Sequence, residues 1–346
     1  MPVNPSSVPD FDDLPKVEGM PQGCAWGVFD QNGKKDFVGT LNFLTPEIVK
    51  AAAAEVKDGV SISLNWPLNG LTRLALTGRG PAKHNVIYLP DAWGEAVVPP
   101  DAPSWDDELS FNTQSSSQWD SLAHVQHPGS GLAYNGNKPT KENLSAETTA
   151  ANTQPTLDHW HEHGGLAGRG VLLDYKLYAE ETGFSFHPFA GDLITVDNLE
   201  ACARHFGVEF RYGDVLLVRT GATEAISNPT PKDLEMMEAH RQSGLDGTIN
   251  TARWLWNRRF AAVASDAMAL EAWPPVKADG THGNLGDVVI HHYMLSLFGM
   301  SIGELWDLSK LSEYCAKAKR YSFMITSIPL NNPCLIASPP NALAIL

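Results

Sequence analysis

Asp214-Val-Leu-Leu-Val-Arg-Thr-Gly221 is a continuous apolar run that ends in a glycine. A run this short, with no alternation of polar residues, fits a strand buried on both faces, as in a sheet covered by helices. Working outward, Gly170-Val-Leu-Leu-Asp174 and Phe260-Ala-Ala-Val-Ala-Ser265 repeat the pattern. Between them, Val196–Phe206 and Thr251–Asn257 carry apolar residues at helical spacing, and Leu157–His163 reads as the end of a helix. Val288–Phe298 is a further helix, closed by Gly299, and Ser322–Pro329 and Cys334–Ser338 read as late strands. Upstream, Thr45–Gly59 is a helix with Thr45 as N-cap and Pro46 in its first turn, followed by an alternating strand, Val60-Ser-Ile-Ser-Leu64. This alternation predicts an α/β fold. Several strands lack an intervening helix, so a simple doubly wound sheet is not expected. Pro67 to Asn152 is rich in Gly, Pro, Asn and Ser and reads as one long irregular stretch, of the kind usually retained for function. Residues 1–20 read as an extended, proline-rich arm and residues 21–346 as one domain.

The 346 residues are 43% hydrophobic and 19% charged, enough apolar surface for a large core. Lys and Arg number 25 against 40 Asp and Glu, a net charge of −15. No basic stripe is available to release counterions from phosphates, which argues against nucleic acid or an anionic membrane as partner. Cys24, Cys202, Cys315 and Cys334 lie far apart and form no C-x-x-C pair, so reduced, buried thiols are expected. The N-terminus lacks the basic and apolar regions of a signal peptide, and no apolar run is long enough to span a bilayer. A soluble, cytoplasmic protein acting on a small molecule is the expectation.

The densest chemistry lies in Gln114-Ser-Ser-Ser-Gln118-Trp-Asp120-Ser-Leu-Ala-His124-Val-Gln-His127, where a carboxylate, two imidazoles and two amides share one loop-rich stretch. Carboxylate oxygen and neutral imidazole nitrogen are donors that zinc, manganese and iron(II) accept. D-x-x-x-H is nonetheless a common accident, and on spacing alone a polar surface loop with His124 bonded to backbone is the commoner explanation. His291-His292 forms a second candidate, with Glu304 beyond the Gly299 break. Leu295 and Gly299 lie three and seven residues beyond His292, which puts His292 on the apolar face. A histidine so placed is more often a core residue than a ligand. Asp158-His159-Trp-His161-Glu162-His163 sits at a helix end before Gly164-Gly165, and solvated histidines there complement the helix dipole. The chain carries no G-x-S-x-G elbow, phosphate loop or dinucleotide fingerprint.

Taken together, these segments resemble the cyclase family that includes bacterial kynurenine formamidase and isatin hydrolase. Gln114–His124 falls in the frame of that family's H-x-G-T-H-x-D-x-x-x-H signature, with Asp120 and His124 on its Asp and last His. His292 and Glu304 match a later His and Glu. Supporting blocks run in order: Trp26-Gly27, Gly39–Pro46, Gly168–Asp174, Gly213–Gly221, Ser265-Asp266 with Glu271-Ala-Trp-Pro274, and the ending Ser338–Leu346. The resemblance implies a swivelling β/β/α domain with a mixed central sheet, assembled as a homodimer or homotetramer with exchanged arms. It also implies a departure. Gln114 and Gln118 stand where two metal-binding histidines are expected, so one of two metal sites is lost and Asp120, His124, His292 and Glu304 remain, with Gln118 as a weak fifth donor.

The implied chemistry is hydrolysis of an amide, lactam or lactone by water activated on one divalent ion, zinc or manganese. Asp120, His124 and Glu304 would do the acid–base work. Trp66, Trp119, Tyr134 and Gln114, with Trp93 nearby, are candidates for the wall of a pocket for a flat ring, although aromatic residues pack cores just as often. Two other readings follow from the glutamines: cyclisation, dehydration or elimination with a weak metal or none, and a small-molecule binder without catalysis.

Overall fold

The computed structural model describes residues 3–71, 78–277 and 279–346. Its strands, in chain order, are β1 (Ser61–Ser63), β2 (Lys83–Tyr88), β3 (Trp105–Ser110), β4 (Gln118–Asp120), β5 (Leu166–Asp174), β6 (Leu193–Ile194), β7 (Val215–Arg219), β8 (Gly244–Leu245), β9 (Ala262–Ser265), β10 (Ile302–Glu304), β11 (Ser322–Ser327), β12 (Ala337–Ser338) and β13 (Leu343–Ile345). Nine of them form one mixed sheet in the order β1-β13-β11-β5-β7-β9-β10-β4-β12. The middle, β5-β7-β9-β10, is parallel, and the flanking pairs are antiparallel. The α/β class with a mixed central sheet is therefore as expected.

The parallel centre explains the apolar runs. Leu216 and Val218 of β7 enter one hydrophobic cluster with Val171 and Leu173, while Val215 and Leu217 enter a second with Leu172 and Ala264. Both faces are covered, so no position on these strands needs a polar side chain. The helix Val196–Phe206 crosses between β5 and β7, with Thr195 as N-cap in a reciprocal capping box with Asn198. Ile249–Asn257 precedes β9. Pro46–Ala52 begins at Thr45, whose side chain accepts a bond from the Ile48 N–H.

Three expectations change. The N-terminal arm is not extended: two 3₁₀ turns, Pro5–Ser7 and Phe11–Asp13, fold it onto its own chain. Val8, Phe11 and Leu14 are buried there, the Phe11 N–H donates to Asn257 Oδ1 at 2.8 Å, and Arg259 donates to Val8 O at 2.7 Å. The stretch read as irregular contains a hairpin, β2 against β3, whose exposed strands lack a regular alternation of apolar and polar residues. The segment before Gly299 is a π-helix, His292–Phe298, and every residue in it is buried. All four cysteines are free and buried. Among the described residues, no helix is long and apolar enough to cross a membrane.

Candidate metal centre

Strand β4 sets the site. Successive side chains of a strand point to opposite faces, so Gln118 and Asp120 share one face and Trp119 takes the other. β10 runs antiparallel beside β4 and pairs Glu304 with Gln118 and Ile302 with Asp120. This register brings Glu304 to the face that carries Asp120 and Gln118. The Gln118 amide donates to Glu304 Oε2 at 2.7 Å and to Asp120 Oδ1 at 3.3 Å.

The imidazole comes from the residue before the one expected. His291, not His292, turns to the carboxylates, with Nε2 3.2 Å from Glu304 Oε1. Ligand atoms of Asp120, His291 and Glu304 all lie within 4.8 Å of one another. His292 takes no part in that group, and burial lowers its pKa to about 4. The helical phase read from Leu295 and Gly299 assumed 3.6 residues per turn. A π-helix advances differently, and with every residue buried it offers no polar face to correct the phase.

Glu271 fixes His291. Its Oε1 accepts from the His291 backbone N–H at 2.8 Å and lies 2.7 Å from His291 Nδ1. Its Oε2 accepts from the N–H groups of Val289 and Ile290 at 3.0 and 3.3 Å. Sequence reading placed Glu271 only in a supporting block. The one signal for its role was its place just beyond the end of a buried strand.

His124 stands beside the cluster rather than in it. The Gln114 amide nitrogen is 3.1 and 3.2 Å from its two ring nitrogens and donates to Asp120 Oδ1 at 3.2 Å. Burial, followed by the positive charges of His291 and Arg79, depresses the His124 pKa to about 4, so the ring is neutral at neutral pH. Arg79 was not singled out by its sequence context. It donates to Gln114 O and Gln114 Oε1, both at 2.7 Å, and so holds the amide with its nitrogen toward Asp120 and His124.

Burial and the neighbouring Glu304 push the Asp120 carboxyl well above its usual range. For His291, burial favours the neutral ring, but hydrogen bonds and charges from Glu271 and Glu304 outweigh it and hold the pKa well above that of a free imidazole.

The donor set fits one divalent cation. Among the described residues, Asp120 Oδ2 and Gln118 Oε1 are buried acceptors without a hydrogen-bond donor. Without an ion, a ring protonated on both nitrogens serves Glu271 and Glu304 at once; when the Nε2 proton leaves, its lone pair faces Glu304 Oε1 across 3.2 Å, and a cation there would take the place of that proton. A buried cluster of unpaired acceptors is what a hard or borderline metal ion satisfies.

The expected aromatic wall is not formed by the residues named for it. Trp119 is fully buried on the opposite face, packed on Trp306 and Trp160 at ring-centroid distances of 4.9 and 5.4 Å, and its Nε1 donates to Ser327 Oγ at 2.8 Å. Tyr134 is also fully buried, and its hydroxyl donates to Asp36 Oδ2 at 3.2 Å. Trp66 is buried in a smaller apolar cluster with Phe189, Met237 and Leu305, and its Nε1 donates to Ser227 Oγ at 2.8 Å. Trp93 is exposed on the helix Leu89–Trp93 after β2. In the His159–His163 helix, His159 is buried against Phe37 rather than solvated, and His159 and His161 bond the backbone carbonyls of Gln154 and Pro329.

A family described as “Putative cyclase” matches residues 60–272. A crystal structure of a novel cyclase has 28% identity to the chain and a TM-score of 0.74, with 93% of this chain and 97% of that one covered. Isatin hydrolase A from Ralstonia solanacearum shares the fold at 18% identity and a TM-score of 0.53, covering 87% of this chain and 97% of its own. An isatin hydrolase bound to the product analogue thioisatinate does so at 15% identity and a TM-score of 0.52, covering 86% and 95%. No curated protein matches the chain. The chain belongs to this cyclase family.

Proposed function

We propose that this cyclase-family chain is a metal-dependent hydrolase that opens a C–N amide bond, or a cyclic amide or ester, in a small and ring-bearing molecule. The observation that carries the reading is the buried group Asp120, His291 and Glu304, with His291 oriented from behind by Glu271 and with acceptors at Asp120 Oδ2 and Gln118 Oε1 that find no donor among the described residues. A divalent ion held by these three side chains would polarise a carbonyl and supply an activated water at neutral pH. Zinc and manganese suit an oxygen-and-nitrogen donor set equally.

The chain's own residues do the rest. Glu271 keeps the His291 ring in place, and the Gln118 amide spans the gap between Glu304 and Asp120. His124, neutral and carried next to Asp120 by the Gln114 amide, is positioned to take or return a proton at the substrate. Isatin hydrolases on the same fold, one bound to a product analogue, support cyclic amide hydrolysis as the reaction type.

One observation favours a second reading. The Gln118 amide bridges the two carboxylates, a place where its N–H groups can neutralise charge without an ion. Such a centre would run proton transfer, giving cyclisation or elimination. We further propose assembly as a homodimer or homotetramer, because the β2–β3 hairpin exposes Val86, Trp105 and Leu109 and a two-stranded hairpin is marginal alone.

The test is elemental analysis of protein purified without chelating resin, followed by a panel of aryl formamides, lactams and lactones. About one zinc or manganese per chain, together with turnover that is lost on chelation and restored by metal, supports hydrolysis. Turnover that survives complete metal removal supports the proton-transfer reading.

A further inference from the structure

A cavity of about 340 Å³ lies beside the metal centre, within the range of small-molecule sites. Two of its lining residues connect it to that centre through one intervening residue or segment. Arg79 forms one wall and is joined through Gln114 to Asp120 and His124. Gln242 forms another: its Oε1 accepts from the Met268 N–H at 2.8 Å, and its backbone pairs with Trp273, on the segment that carries Glu271. Phe189 and Met237, which share an apolar cluster with Leu305 beside Glu304, line the interior with Met268 and Trp273.

The charge of this lining runs against that of the chain. The protein has 40 acidic and 25 basic residues, yet among the described residues the ionisable groups lining this cavity are Arg79, His240 and Arg241, with no carboxylate. Two guanidinium groups over an apolar floor in a molecule of net charge −15 form a local positive field that an anion would enter. The apolar floor sets the body of the ligand, and guanidinium geometry favours a carboxylate as its head.

We propose that this cavity is the organic subsite of the enzyme and that it takes a small aryl or alicyclic carboxylate, whose ring lies on Met237, Met268 and Trp273 and whose carboxylate faces Arg79 and Arg241. The proposal rests on the hydrolase reading only for calling the ligand a substrate or product. The binding preference itself follows from the cavity.

The experiment is calorimetric titration of the purified protein with benzoate and phenylacetate, each against its neutral amide, benzamide and phenylacetamide. Tighter binding of the carboxylates by about tenfold, weakened as salt rises, is expected. Arg241 is exposed, so Arg241→Glu should fold normally and remove most of that preference. Met268→Trp should block both members of each pair. Equal affinity for acid and amide, or a carboxylate preference untouched by Arg241→Glu and Met268→Trp but lost in His291→Ala, overturns the proposal by placing the anion elsewhere or on the metal. Failure of the hydrolase reading shows differently: no turnover of any panel substrate, with the carboxylate preference intact.

Discussion

His291 Nδ1 lies 2.7 Å from Glu271 Oε1, and the same oxygen accepts the His291 backbone N–H. A carboxylate that grips both the ring and the main chain of one residue leaves the ring little freedom, and it directs the opposite nitrogen toward Glu304. The arrangement is the carboxylate–histidine pairing that accompanies metal ligation, where the outer partner fixes the tautomer and raises ligand basicity. It marks His291, rather than the histidine next in sequence, as the candidate ligand.

Replacing each histidine in turn checks that separation. His291→Ala is expected to abolish stoichiometric metal binding, whereas His292→Ala should keep it, because His292 stands outside the group of ligand atoms. Metal per chain after dialysis is the measurement. Retention in His291→Ala with loss in His292→Ala would reverse the assignment.

Glu271→Gln probes the outer partner. The amide oxygen still accepts one N–H, but the charge that supports His291 is gone. Metal affinity should fall about 10- to 100-fold, with the fold retained, as outer-partner losses usually do. Competition with a chromogenic chelator gives the number, and unchanged affinity would show that Glu271 serves only to cap the helix start.

Much of this was legible in the sequence. Apolar runs such as Val215–Val218 announced strands covered on both faces, and Thr45 and Gly299 marked real helix ends. Asp120 and Glu304 were found from a family frame, and the structure brings them together across one strand pair. His291 was missed because a fully buried π-helix has no amphipathic phase to read. Glu271 and Arg79 were missed because their roles arise from contacts 20 and 35 residues away in sequence. Trp119 and Tyr134 pack in the core instead of lining a pocket, a difference invisible in sequence because an aromatic residue looks the same there whether it faces a core or a cleft.

The two glutamines make a gain-of-function prediction. Gln114 and Gln118 donate to Asp120 and Glu304 through their amide nitrogens. Histidine at both positions would replace weak neutral amides with strong nitrogen donors around the same carboxylates. Gln114→His with Gln118→His should therefore raise metal content above that of the wild type, toward two per chain. Unchanged content would mean that these side chains do not occupy ligand positions.

Acid should expose the neutral burial of His292. Its pKa is about 4 in the folded chain, against an ordinary value near 6.5. Between roughly pH 6.5 and 4 the unfolded chain holds a proton that the folded chain lacks, so this contribution to stability is complete above that window and is lost as pH falls through it. The size is on the order of 3 kcal/mol at full loss. In chelator, so that metal release adds nothing, His292→Asn should lose less stability than the wild type when urea midpoints at pH 7 and pH 4.5 are compared. Parallel losses in the two proteins would show that His292 is not held neutral.

Trp119 and Asp120 are neighbours on β4 and face opposite ways, so their substitutions should fail in opposite ways. Trp119→Ala removes a fully buried indole packed between Trp160 and Trp306 and leaves the Ser327 hydroxyl without its donor. A cost of about 3–5 kcal/mol is expected, in line with large-to-small changes in a packed core. Asp120→Asn keeps the shape but removes a buried carboxyl that burial, and then the neighbouring Glu304, already push upward. Its stability should stay within about 1 kcal/mol of the wild type while turnover and metal binding disappear. Urea unfolding of both variants, paired with metal analysis, separates the two faces. A destabilised, metal-replete Asp120→Asn would place the working face of β4 on the wrong side of the sheet.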